Sequence, residues 1–249
     1  NLVFVPVLLL LALANTLTHF GYFSWGMYAS IWLVSLLMTV VGGRVIPMFT
    51  ANGTQSQKVE PLPWLERATL FLMWLIAVIY LVNSAARMPP MVMAMIFAAA
   101  SIANAWRAWR WRPWVTTRVR LVWSLHAAYW FIPLGLGLFA LHFAGVNINA
   151  STAMHALTAG AMGSLILAML ARVSLGHTGR PLEIHPAMKY AFLLVIFAGL
   201  YRLAAGLKPA LTANHGYTIS AIAWCLAYGL FFVLYARILR SPRPDGKDG

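Results

Sequence analysis

A chain of 249 residues with 61% hydrophobic and 9% charged side chains is no soluble globular domain, in which about a quarter of residues are charged. Its formal charge of +13 would suit nucleic acid, but the basic residues lie between long apolar runs, the pattern of loops that flank membrane spans, so the expected partner is a lipid bilayer and not nucleic acid. A single cysteine, Cys225, excludes an intrachain disulfide.

A helix needs about 20 apolar residues to cross hydrocarbon. Spanning segments must also satisfy their own backbone hydrogen bonds, which leaves helices or closed barrels. The runs here are continuous and do not alternate, so they read as helices. In chain order they cover 2–19, 24–46, 63–83, 90–106, 119–141, 151–171, 187–207 and 217–238. The fold class is therefore all-α, a polytopic transmembrane bundle of about eight spans. Residues 1–240 form one transmembrane domain, and 241–249 read as a disordered cytoplasmic tail.

The first run closes on Asn15–Gly21, which contains His19. The second gives way to Gly42-Gly43-Arg44-Val45-Ile46-Pro47-Met48-Phe49-Thr50-Ala51-Asn52-Gly53, read as a loop entered at Pro47. The fourth opens with Met88, Met91, Met93 and Met95. Thioethers suit Cu(I), although methionine in a span is ordinarily apolar filler. After it, Trp106 to Trp114 alternates tryptophan with arginine, which at a span end reads as an aromatic belt with basic anchors. The fifth run carries His126, roughly 10 Å below its end at 1.5 Å per residue, and Pro133, expected to kink it. The sixth has His155 one turn in, followed by Ala156, Gly160 and Ser164, a ladder of small residues for close helix approach. Arg172–Leu182 then forms a second loop rich in glycine, hydroxyl and arginine.

Under this alternation, all but three of the 18 lysines and arginines fall on the side that holds both ends of the chain; the exceptions are Arg87, Arg202 and Lys208. Such a bias marks the cytoplasmic side. The acidic residues are Glu60, Glu66, Glu183, Asp245 and Asp248, none near the middle of a run. That absence weakens a proton- or cation-transport reading, since such transporters commonly carry mid-membrane carboxylates. Histidine suits haem and copper. His126 and His155 are the two inside spans, and each stands equally well as a ligand or as a core histidine bonded to a carbonyl or hydroxyl. They enter from opposite faces, which favours two separate sites. The two glycine- and arginine-containing loops have the groups to bind a haem propionate or a lipid phosphate, or else simply to contact headgroups.

The segment Arg44-Val45-Ile46-Pro47-Met48-Phe49-Thr50 resembles a characteristic segment of the NnrS family, with Met48 where phenylalanine is more usual. The run from His155 (H-A-L-T-A-G-A-M-G) to Leu182 (A-R-V-S-L-G-H-T-G-R-P-L), Leu125-His126-Ala127-Ala128-Tyr129, and the opening that ends in His19 are similar to that family too. The resemblance implies a bacterial inner-membrane protein with haem and copper, linked to nitric oxide or iron-nitrosyl species, to denitrification and to protection from nitrosative stress. It implies that this is the C-terminal part of a protein of about twelve spans, in keeping with a first residue, Asn1, inside an apolar run. It points to His126, His155, His177, Arg44 and Arg180 around the cofactor, and to His126, His155 and His19 as metal ligands, with the redox partner unknown. A transporter or channel for a small solute, and an assembly or scaffold protein for respiratory complexes, stand as the other readings.

Overall fold

The structure is a computed structural model that describes residues 4–208, 215–244 and 246. Among these, eight helices follow one another: α1 (Phe4–His19), α2 (Phe23–Thr54), α3 (Pro63–Leu81), α4 (Pro90–Arg110), α5 (Arg120–Phe143), α6 (Ala150–His177), α7 (Met188–Leu207) and α8 (Gly216–Arg240). Short 3-10 turns at Ala85–Arg87 and Pro113–Thr116 lie between α3 and α4 and between α4 and α5. Seven of the eight are long and apolar enough to cross a bilayer; α1 is apolar but shorter, at 16 residues. The chain is a multi-pass membrane protein, as its hydropathy implies.

Local chemistry explains several boundaries. Pro63 and Pro90 begin α3 and α4, where a missing N–H leaves no intrahelical bond unmade. Asn149 caps α6 by accepting from the Ser151 N–H at 2.8 Å. Gln55 ends α2 in the left-handed region. One expectation fails here: Gly42–Gly53 is no loop. Helix α2 runs straight through Pro47 to Thr54. Proline removes one N–H from the ladder, and the surrounding helices of a bundle tolerate that loss. Likewise Arg172–His177 is still helix, and only the residues after it form a connector.

Helix α5 occupies the middle of the bundle and packs on α2, α4, α6 and α7. In its spanning window 72% of residues are buried, against 22% for the outer helix α8. It stays helical through Pro133, whose carbonyl accepts from the Ser101 hydroxyl at 2.7 Å. Trp32, Phe97 and Phe139 stack in the half of the core away from the basic end, with centroids 5.1–5.2 Å apart.

Helix α6 crosses α5 and α7 at its small residues. A Cβ at Gly199 of α7 would lie 2.9 Å from the Gly160 Cα and 3.0 Å from the Phe131 ring, so only glycine permits this approach. The crossing coincides with a π-helical stretch, Ala156–Met162, which begins immediately after His155. The wider turn disturbs the regular ladder, and the Gly163 carbonyl takes the Tyr228 hydroxyl at 2.8 Å. Residues 1–3, Asp245 and 247–249, the last four within the segment read as tail, lie outside the described residues. Within that segment Pro242 accepts from Arg180 Nη2 at 3.3 Å, and Arg243 Nη1 donates to the His177 carbonyl at 2.9 Å.

The glycine crossing yields a stability prediction. Gly199→Val overfills the α6–α7 contact and is expected to lower stability by about 1–3 kcal/mol, read as a lower thermal midpoint of the purified protein. Gly229→Ala, where a Cβ meets nothing within 4 Å, is expected to leave the midpoint unchanged or raise it slightly.

Candidate functional site

The polar centre of the bundle is built on one face of α2. Thr39, Gly42, Gly43, Ile46 and Thr50 recur at helical spacing toward α4 and α5. The two glycines are there for space. A side chain at Gly42 would enter the Tyr129 ring of α5, and one at Gly43 would occupy the position of the Arg107 guanidinium of α4.

Arg107 is 2% exposed. Its Nε lies 3.0 Å from Oε1 of Glu66 in the first turn of α3, and Nη2 donates to the Thr39 carbonyl at 3.1 Å. The guanidinium also lies 5.2 Å from the Trp111 ring centroid. A buried charge holds only with such a partner and such hydrogen bonds. Around it, the Tyr129 hydroxyl donates to Asn104 Oδ1 at 2.7 Å, and Asn104 Nδ2 donates to the Ala100 carbonyl at 2.9 Å. Trp111 meets Tyr129 edge-on at 4.7 Å and His126 edge-on at 6.4 Å.

His126, 3% exposed, is oriented by α2. Its Nε2 is 2.8 Å from the Thr50 hydroxyl, and that hydroxyl donates its one hydrogen to the Ile46 carbonyl at 2.8 Å. The hydrogen-bond network therefore assigns the proton to Nε2, which donates to Thr50, and leaves the lone pair on Nδ1. Nδ1 is buried and has no hydrogen-bond partner.

Beside this network, between α2, α3 and α4, opens a cavity of about 370 Å³. Its walls carry Arg44, Lys58, Arg107 and Arg110 along with Glu60 and Glu66. The connector from α2 to α3 closes its rim, tied down where Arg110 Nη2 donates to the Glu60 carbonyl at 3.1 Å.

The remaining predicted residues scatter. His155 stands at the start of the π stretch. Its Nδ1 donates to the Ser151 carbonyl at 2.6 Å, and Nε2 accepts from Arg202 Nη2 at 3.1 Å, so both ring nitrogens are engaged. Arg202 in turn stacks on Tyr217, 4.0 Å from the ring centroid. His126 and His155 thus have separate surroundings. His19 is exposed at the end of α1, and His177 is exposed at the end of α6. Arg44 is exposed in α2 and leans toward Phe4, 6.0 Å from its ring. Arg180 is half-buried and bonds the Thr178 and Pro242 carbonyls. Met93 is fully buried while Met91 and Met95 are exposed, so these methionines do not converge. Among the described residues, no group of three or more His, Cys, Asp or Glu side chains is placed to hold a metal ion.

A family model described as NnrS protein matches residues 1–243. The chain belongs to the NnrS family. No curated protein and no solved structure matches it. Of the four segments that resemble NnrS sequences, Arg44–Thr50 touches two others. Arg44–Thr50 supplies Thr50 to His126 and Phe49 to Arg172, whose guanidinium lies 3.4 Å from the Phe49 ring centroid. His126 and Tyr129 come from the segment Leu125–Tyr129, and Arg172 from the run His155–Leu182.

Arg107, Trp111, Asn104 and Glu66 are the residues that sequence reasoning passed over. The Trp106–Trp114 run was read as an interfacial belt. That describes Trp106, Trp109 and Trp114, which are 49–58% exposed, but not Trp111 at 4% or Arg107 at 2%. The available signal was the spacing of Asn104, Arg107, Ala108 and Trp111, which places them on one face of a helix. Removing the carboxylate alone, in Glu66→Ala, strands the Arg107 charge and is expected to cost about 3–5 kcal/mol. Adding Arg107→Met to that variant is expected to recover most of the loss. Both are read as unfolding midpoints, and equal midpoints for the single and double variants count against a buried pair.

Proposed function

We propose that this NnrS-family chain is a haem- and copper-binding protein of the nitric oxide response, which protects against nitrosative stress or supports denitrification. The observation that carries the proposal is the His126 imidazole, held rigidly in a dry part of the bundle with an unpartnered Nδ1 lone pair. One histidine suffices as an axial ligand to haem iron, so the donor is of the kind haem takes, although among the described residues no three-ligand metal group is assembled. Haem bound there supplies an iron centre that takes nitric oxide as a ligand.

The chain's own residues have definable parts in this reading. Thr50 sets the tautomer and the ring orientation of His126, the usual duty of the partner behind a metal-binding histidine. Trp111 and Tyr129 wall the ring from water. Arg180, after α6, is the cation available to carboxylates of a cofactor, and Arg44 is exposed on α2 at the same end. His177 lies at the same end of the bundle. His155 and His19, toward the opposite end, are the donors that would be offered to copper; Arg202 holds His155 Nε2, and the described residues do not complete a ligand set. The arginine-rich end is cytoplasmic, by the bias of basic residues in bacterial inner-membrane proteins.

The test is spectroscopic. Purified protein is expected to show a Soret band and a reduced-minus-oxidised difference spectrum, with iron and copper on metal analysis. Neither metal and no Soret band would sink the proposal. His126→Ala is expected to abolish most haem binding, while His185→Ala, whose Nδ1 accepts only from the Ala187 N–H, leaves it intact. Thr50→Val removes the partner of Nε2 and is expected to weaken haem affinity by about 10–100-fold. His155→Ala is expected to lower copper content and to leave the haem spectrum in place.

A further inference from the structure

We infer that the cavity between α2, α3 and α4 binds a phosphate group, presented either as a free ion or as the headgroup of an anionic lipid. This site adjoins the His126 region but does not depend on haem or copper binding there. The cavity holds four cationic side chains, Arg44, Lys58, Arg107 and Arg110, against two carboxylates. Glu66 is committed to Arg107. Among the described residues no carboxylate pairs with Arg44 or Lys58, so a net positive charge faces a space that is partly shielded from solvent. Glu60 opposes an anion, but its main chain is also what anchors Arg110 at the rim.

Arg107 is the most firmly held of these cations. It forms part of the cavity wall, is 2% exposed, and has a buried Nη1 with no hydrogen-bond partner. The rest of that guanidinium is immobilised. Glu66 faces Nε, the Thr39 carbonyl takes Nη2, Trp111 covers the plane, and Gly43 leaves the room. An arginine fork fixed in advance loses little freedom when an oxyanion arrives, and a bond from a charged donor is about twice as strong as a neutral one. Several cations around one space match the charge and four oxygens of phosphate better than a single carboxylate. The volume of about 370 Å³ leaves room beyond the phosphate itself. Trp64 and Trp106, the chain neighbours of the lining residues Leu65 and Arg107, are exposed and edge-stacked with centroids 5.2 Å apart, as tryptophans at headgroup depth are. Both soluble and lipid phosphates reach that depth.

The experiment uses the full chain in phosphatidylcholine nanodiscs. One arm measures equilibrium binding of radiolabelled inorganic phosphate. The other compares thermal midpoints in discs with and without phosphatidic acid. Each is repeated with the double variant Arg44→Gln/Lys58→Gln, whose exposed positions keep folding intact, and with Arg237→Gln/Arg240→Gln, also exposed, as a charge-matched control. Saturable phosphate binding, weakened about tenfold or more in the first variant only, establishes the site with a free ion as its ligand. A midpoint raised by phosphatidic acid in the wild type and control but not in the first variant establishes it with a lipid headgroup. If neither probe acts on the wild type, or if both act equally on all three proteins, the inference is overturned.

Discussion

A guanidinium buried in an apolar bundle persists only if carboxylate and carbonyl groups meet it, because burial strips most of its hydration. In this chain Glu66 and the Thr39 carbonyl meet Arg107, and α2, α3 and α4 are drawn together at that point. Other features follow from this requirement. Gly43 must lack a side chain, Trp111 turns inward to cover the charge, and the adjacent Gly42 lets Tyr129 of α5 approach closely enough to bond Asn104. The Arg107–Glu66 pair is thus the hinge on which α2 to α5 share one polar centre, and His126 lies within it.

The other end of the bundle is organised differently. There the glycines Gly160 and Gly199 bring α6 and α7 into backbone contact, and the π-helical stretch accommodates the crossing. His155 begins that stretch and is held on both ring nitrogens, by Ser151 and Arg202. His126 by contrast has one nitrogen held and one unpartnered. Two histidines that look equivalent along the chain therefore differ in readiness. His126 Nδ1 makes no hydrogen bond that a ligand would have to break, whereas His155 Nε2 is already held by Arg202.

The spans, the all-helical class and the one-sided distribution of basic residues could be read in the chain because hydrocarbon imposes its rule locally: every run of about 20 residues must be apolar, whatever it packs against. The NnrS-like segments were legible as strings, and so were His126 and Thr50 within them. The helical state of Gly42–Gly53 was not, because glycines and a proline in series look the same whether they make a turn or clear space for neighbouring side chains. Arg107 was hidden for a related reason. Between two apolar runs, an arginine among tryptophans reads as an interfacial anchor until the position of its carboxylate is known.

Taken alone, then, the sequence determined the solvent and the class of fold, properties set by composition over a window of residues. Only the tertiary structure decided which cation is buried, which nitrogen of which histidine is left unpartnered, and where a charged cavity opens. Those outcomes depend on pairs far apart in the chain, Thr39 with Arg107, Glu66 with Arg107 and Thr50 with His126. A local pattern carries no information about such partners, because the free energy of a buried polar group is set by what reaches it across the bundle and not by its neighbours in sequence.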